Sequence, residues 1–251
     1  MVSGVGMSIL VVTGTSTGVG KTIVTAAIAA LSHDREATVA VVKPAQTGVA
    51  KGEPGDLADI RRLTDVPSLH ELARYDHPLS PAAAARLAGQ PGFDMTHAAR
   101  VVRDLADHHD LVIVEGAGGL LVRFDEDGST IADLARMLAA PVIVVTEPGL
   151  GTLNHTALTL EALAHRGLQF GGLIVGSWPE DPDLAMRTNL RDLQMLAARP
   201  LDGAIRAGAA SLTPSEFLDA ARNGLAPALG GRFDARDFVH RWSPKPEGTT
   251  T

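Results

Sequence analysis

The 251-residue chain contains no cysteine, and that absence removes several chemistries at once. Disulfides, thiolate zinc sites and a cysteine nucleophile are excluded, and with them a glutaminase-type amidotransferase half within this chain. The chain also lacks any block of consecutive basic residues, and its formal net charge is −7, so nucleic acid is not expected as a partner. No apolar run approaches the roughly 18 residues of a membrane span, and Met1 to Gly6 carries no basic region of a secretory signal. A cytoplasmic protein with no membrane partner is the expectation, with Met7 as an alternative start. Histidines do not assemble into a metal motif: His70-Glu71 is followed by Leu72, Ala73 and Arg74, so zincin spacing is missing.

What is present is a folded-protein composition, 45% apolar, long enough for one large α/β domain. Short β-branched runs recur at Ile9 to Thr13, Thr38 to Val42, Leu111 to Val114, Pro141 to Thr146 and Gly172 to Val175. Ala/Leu-rich helical stretches lie between them, including Thr22 to Leu31, Pro81 to Ala88, Met95 to Ala106 and Asn154 to His165. Leu201 to Ile205 reads as a last short strand, with helices around Pro214 to Ala221 and Ala235 to Trp242. Strands apolar throughout belong in a parallel sheet buried on both faces. The expectation is a P-loop NTPase-like, doubly wound α/β fold, a mostly parallel sheet with helices on both faces and ligands at the C-terminal strand ends. A single domain over residues 1–242 and a disordered tail over 243–251 complete the organisation.

The first strand runs into Gly14-Thr-Ser-Thr-Gly18-Val19-Gly20-Lys21-Thr22-Ile23. A Gly-rich loop ending in Gly-Lys-Thr ahead of a helix presents backbone N–H groups, from Gly18, Val19 and Gly20 through Lys21, Thr22 and Ile23, to phosphates. Lys21 is expected on the β/γ-phosphates and the Thr22 hydroxyl on Mg²⁺. Five residues rather than four separate Gly14 from Gly20, which departs from the strict pattern but keeps its physics. The strand ending at Val114 delivers Glu115 into Gly116-Ala117-Gly118-Gly119, where a carboxylate suits a Mg²⁺ ligand and the glycines admit a nucleotide. Lys43, before Pro44, leaves the second strand at the same edge, where a cation can stabilise charge on a reacting anion. Asp56 follows a turn-rich loop and is readable as a helix N-cap or a metal ligand. Glu147 to His155 leads from a strand into a helix and offers N–H groups to a carboxylate, or merely a cap.

Taken together these pieces resemble the dethiobiotin synthetase family over roughly Met7 to Gly208. The shared features are the P-loop with its extra residue, Lys43-Pro44 with Thr47-Gly48, Ser80-Pro81, Glu115 to Gly119, and Leu150 to His155, in that order. The resemblance implies an ATP- and Mg²⁺-dependent cyclo-ligase acting on 7,8-diaminopelargonate and CO₂, through a carbamate and its phosphorylated anhydride. It implies Mg²⁺ on Thr22, Asp56 and Glu115, catalysis by Lys21 and Lys43, and the diamine on Thr17, Lys43 and Thr47. It further implies a homodimer whose second subunit supplies Gly151, Thr152 and Asn154 to the substrate carboxylate. The base would sit near Gly176, Ser177, Arg206, Ala207 and Gly208. Many members carry an Asn after the fifth strand, where this chain has Gly176-Ser177. An amide donor–acceptor pair for adenine is therefore missing, and nucleotide choice is expected to be loose, with a pyrimidine triphosphate such as CTP able to stand in for ATP. The rival reading, a ParA/MinD-like regulatory ATPase, requires a second Lys where this chain has Ser16.

Overall fold

The structure is a computed structural model describing residues 9–244; the candidate start positions and the expected tail beyond Pro244 lie outside it. In chain order the elements are β1 (Ile9–Gly14), α1 (Lys21–His33), β2 (Val39–Lys43), β3 (Gln46–Thr47), α2 (Asp56–Thr64), β4 (Ser68–Glu71) and β5 (Arg74–Tyr75). They continue with α3 (Pro81–Ala88), α4 (Met95–Ala106), β6 (Leu111–Gly119), α5 (Ile131–Leu138), β7 (Val142–Thr146) and α6 (Thr152–His165). The last are β8 (Phe170–Trp178), α7 (Leu184–Ala197), β9 (Gly203–Arg206), α8 (Pro214–Gly224) and α9 (Ala235–Trp242).

Seven strands form a parallel sheet in the order β4-β2-β6-β1-β7-β8-β9, and β3 and β5 make a separate parallel pair. Side chains alternate between faces along each strand. Val11, Val112, Val114, Val142 and Val144 join one core with α4, α5 and α7. Val12, Ile113, Ile143 and Val145 join the other with α1, α2 and α8. That two-sided burial, worth about 1.5–3 kcal/mol per fully buried aliphatic side chain, accounts for strands without a polar face. The doubly wound parallel architecture is as expected from the sequence.

Several features differ from the sequence reading. Strands β3, β4 and β5 and helices α5 and α7 are additional, β8 is longer at both ends than Gly172 to Val175, and β6 does not stop at Val114 but continues through Gly119. Its pairing with β1 shifts between Val12 and Gly14, so Gly14 lies opposite Gly119. The glycines thus extend the strand, and Glu115 sits within it, opposite Val12 and wholly buried.

Candidate active site

β1 hands its chain to the phosphate loop at the centre of the sheet. Thr15 N–H donates to Val145 O at 2.9 Å, which ties the loop's start to β7. Gly20, at φ 94°, occupies the position before α1, and a Cβ on it would lie 2.6 Å from Gly176 O. A Cβ on Gly176 would lie 1.9 Å from Val19 O. Gly176 is therefore the seat on which the loop backbone rests, a packing role for a residue expected at the base. Lys21 folds back over the loop and donates from Nζ to Ser16 O at 3.0 Å. Burial lowers its pKa to about 8; Glu115 opposes the shift and Lys43 adds to it.

Alternation along β2 and β6 puts Lys43 and Glu115 on the α1 face of the sheet, one step beyond the Val42–Val114 pair. Lys43 Nζ lies 2.7 Å from Glu115 Oε1, 2.5 Å from Asp56 Oδ2 and 3.2 Å from Gly116 O. Thr22 Oγ1 donates to the same Glu115 oxygen at 2.9 Å. Glu115 is fully buried and its Oε2 is without a hydrogen-bond partner. Burial alone would lower the Lys43 pKa, but Glu115 and Asp56 outweigh it and raise it, so the ammonium stays charged. The choice left open for Asp56 is now narrower. Gly55 holds the N-cap position of α2, and the Asp56 carboxylate is turned onto Lys43 rather than onto its own helix.

These groups surround a cavity of about 650 Å³, within the size range of small-molecule sites. Its walls include Thr17, Gly18, Gly20, Lys21, Thr22 and Ile23 of the loop and the start of α1, and beside them Lys43, Thr47, Asp56, Glu115, Ala117 and Gly118. Val19 and Gly116 are buried behind these walls. The remaining lining includes Gln46, Asp59, Pro78, Leu79, Ser80, Pro81, Val122 and Ala210. Of these the sequence reading had singled out only Ser80-Pro81. Gln46 was in plain view between Lys43 and Thr47, whereas Ala210 carries no chemical signal.

Two expected groups do not line this cavity. Ser177 and Arg206 are exposed, and Ala207 N–H is used by Trp178 O at 2.7 Å, with Gly208 following in an exposed turn. Nor do Gly151, Thr152 and Asn154 reach it. Gly151 and Asn154 are exposed, while Thr152 is buried, with its hydroxyl on Glu147 O and its N–H on Gly149 O. Thr146 Oγ1 lies 2.7 Å from Thr152 Oγ1, 2.9 Å from Thr156 Oγ1 and 3.3 Å from Thr15 Oγ1, a buried hydroxyl chain from the phosphate loop to the start of α6. Among the described residues no group of three or more His, Cys, Asp or Glu side chains converges as a metal cage. No described helix is long and apolar enough to cross a membrane.

A Gly-Lys-Thr loop at the centre of a doubly wound parallel sheet, with a buried acid on the adjacent strand, defines a P-loop NTPase-like protein. Solved structures agree on the fold. A ParA family ATPase from Chlorobium tepidum superposes with TM-score 0.52 at 16% identity, covering 93% of this chain and 99% of that one. The septum site-determining protein MinD from Pyrococcus horikoshii, complexed with Mg-ADP, superposes with TM-score 0.50 at 19% identity, covering 92% of each. A family model described as an AAA domain matches residues 8–207. Among curated proteins, the ATP-dependent dethiobiotin synthetase of Frankia casuarinae is 62% identical, covering 94% of this chain and 99% of its own length. That of Streptomyces coelicolor is 52% identical, covering 95% and 100%. The chain belongs to the dethiobiotin synthetase family. The ParA family ATPase and MinD share its fold.

Proposed function

We propose that the protein is an ATP-dependent cyclo-ligase that closes the ureido ring of dethiobiotin from 7,8-diaminopelargonate and CO₂. One observation carries this reading beyond nucleotide binding. A buried ammonium, Lys43, is held charged by two carboxylates beside the phosphate loop. A protein that only bound nucleotide would have no use for a second cation there.

The chemistry needs three steps. One amine of the substrate adds to CO₂ to give a carbamate. A carbamate oxygen attacks the γ-phosphorus of ATP, releasing ADP and leaving a carbamic–phosphoric anhydride. The second amine attacks the anhydride carbon, the ring closes and phosphate leaves. Lys21 and the N–H groups around it would hold the triphosphate, and phosphate charge would favour the protonated form of a lysine titrating at about 8. Lys43 would face the carbamate and offset negative charge on it and on the transferring phosphoryl group, the preorganised electrostatic stabilisation that dominates such sites. Thr17 and Thr47, both on the cavity wall, would bind the diamine end.

The donor set suits Mg²⁺. Glu115 keeps a buried, unpartnered oxygen, and the Thr22 hydroxyl and the Asp56 carboxylate stand beside it; hard oxygen ligands are what this ion takes. When bound it would supply charge neutralisation to the phosphates. Because Gly151 and Asn154 are exposed and away from their own cavity, they would serve the substrate carboxylate of a second copy in a homodimer.

The test is direct. Purified protein given ATP, Mg²⁺, bicarbonate and 7,8-diaminopelargonate should release one phosphate per dethiobiotin formed. Phosphate release indifferent to the diamine, with no ureido product by mass spectrometry, would refute the reading.

A further inference from the structure

Of the polar side chains of the cavity wall that the chemistry above does not use, Gln46, unlike Asp59 and Ser80, is almost wholly buried, at 4% exposure. A buried carboxamide is costly unless its groups are satisfied. Here both ends are engaged. Oε1 accepts from Asp56 N–H at 2.9 Å, and Nε2 donates to Thr47 O at 3.2 Å. Its own backbone N–H is fixed by Ala73 O at 2.9 Å.

The first N–H groups of a helix have no partner within it and usually receive a local side-chain cap. α2 has none: its N-cap is Gly55, which provides no side-chain bond. Asp56 does not cap the helix either, because its carboxylate is on Lys43. The cap arrives from ten residues earlier in the chain, from Gln46. Gly55 makes room for it, since a Cβ there would lie 2.7 Å from Gln46 Oε1. Its φ of −105° would suit any residue, so the demand for glycine is steric.

We propose that Gln46 is a positioning residue that caps α2 from a distance and thereby leaves the Asp56 carboxylate free to face Lys43 and a Mg²⁺ ion. The proposal rests on the reading of Asp56 as a metal ligand given above. Through Thr47 O the same amide ties the loop carrying Lys43 and Thr47 to the start of α2, so two walls of the cavity keep one spacing. Groups that orient a metal ligand typically change metal affinity or activity by about 10–100-fold when removed.

The experiment compares Gln46→Met, which keeps length and apolar volume but removes the acceptor, with Gly55→Ala, which crowds Oε1 off Asp56 from the other side. Asp56→Asn is measured in parallel. In nucleotide-free, metal-free protein, the Asp56 amide should lose hydrogen-exchange protection in Gln46→Met and Gly55→Ala. In the assay both should raise the Mg²⁺ concentration for half-activity by about 10-fold or more, while ADP affinity measured without metal stays within about 3-fold because the phosphate loop is untouched. An Asp56 amide as protected in Gln46→Met as in the parent overturns the proposal, and Gly55→Ala gives the same test should Gln46→Met not fold. Asp56→Asn shifting the Mg²⁺ requirement while neither of the other variants does so overturns the role of Gln46 alone. No effect of Asp56→Asn removes Asp56 from the metal set, and the functional half of the proposal falls with it.

Discussion

Replacing Lys21 by Met should make the nucleotide-free protein more stable while abolishing its use of nucleotide. Lys21 is 7% exposed, and its pKa falls from 10.5 to about 8 on burial. That displacement corresponds to about 3 kcal/mol by which the folded chain disfavours the ammonium. The unfolded chain keeps this proton up to 10.5 and the folded chain only up to about 8. Unfolding therefore takes up a proton between these values, and stability rises with pH across that window. The penalty is present in full below about pH 8. Met fills the same space without charge but forfeits the hydrogen bond that the ammonium donates to Ser16 O, worth about 1.5 kcal/mol or more for a charged donor. A net gain of up to about 1.5 kcal/mol at pH 7 raises the melting temperature of a chain this size by up to about 6 °C. The assay is thermal melting of both proteins at several pH values, with and without ATP. The variant's advantage should be largest below pH 8 and shrink toward pH 10, and saturating ATP should raise only the parent. Nucleotide-free Lys21→Met melting at or below the parent at pH 7 would refute the assignment of a desolvated, charged lysine.

Lys43→Gln should reduce turnover by about 10²–10³, the scale of one lost transition-state donor, while nucleotide dissociation constants stay within a few-fold. Weakened nucleotide binding with unchanged turnover at saturation would make Lys43 a simple phosphate ligand. Glu115→Gln should raise the Mg²⁺ requirement, since a neutral amide is a poorer ligand for a hard cation; an unchanged titration would remove Glu115 from the metal site. Nucleotide binding should weaken as pH rises through about 8, because Lys21 then loses its charge in the free protein. Isothermal titration between pH 6.5 and 9.5 checks this, and a flat profile would contradict it. Dissociation constants for ATP, CTP, GTP and UTP under one Mg²⁺ condition should lie within about 200-fold of one another, the reach of shape discrimination alone. An ATP preference above about 10³-fold would mean that backbone groups read adenine.

The sheet was legible because its central strands are apolar on both faces, and the phosphate loop because Gly-Lys-Thr before a helix has few other uses. The edge strand β4 was not, because Ser68-Leu-His-Glu is short and half-buried and carries no such run. α5 and α7 carry weaker signals than the strand runs beside them, although Ile131, Leu134, Ala135 and Leu138 have helical spacing. Within the site, strand alternation puts Lys43 and Glu115 on one face and the Gly-rich loop brings Lys21 and Thr22 at the start of α1 beside them, both of which a sequence displays. The orientation of Asp56 is a different matter. Helix-start statistics favour a self-cap there, and what overrides them is a bond from Gln46, ten residues earlier, across a loop whose path no local pattern encodes. Similarly, the family resemblance assigns Gly176 to the base site, whereas it lies within β8 and its packing partner is the loop backbone, visible only in three dimensions.

That contact places two adjacent residues under very different constraints. Position 176 belongs to the grip on phosphate: any side chain there would drive into Val19 O, 1.9 Å from where its Cβ would stand, and lift the loop. Position 177 is exposed and answers to no such constraint. A larger side chain introduced at Ser177 would thus leave the loop seated, whereas the same side chain one residue earlier would unseat it.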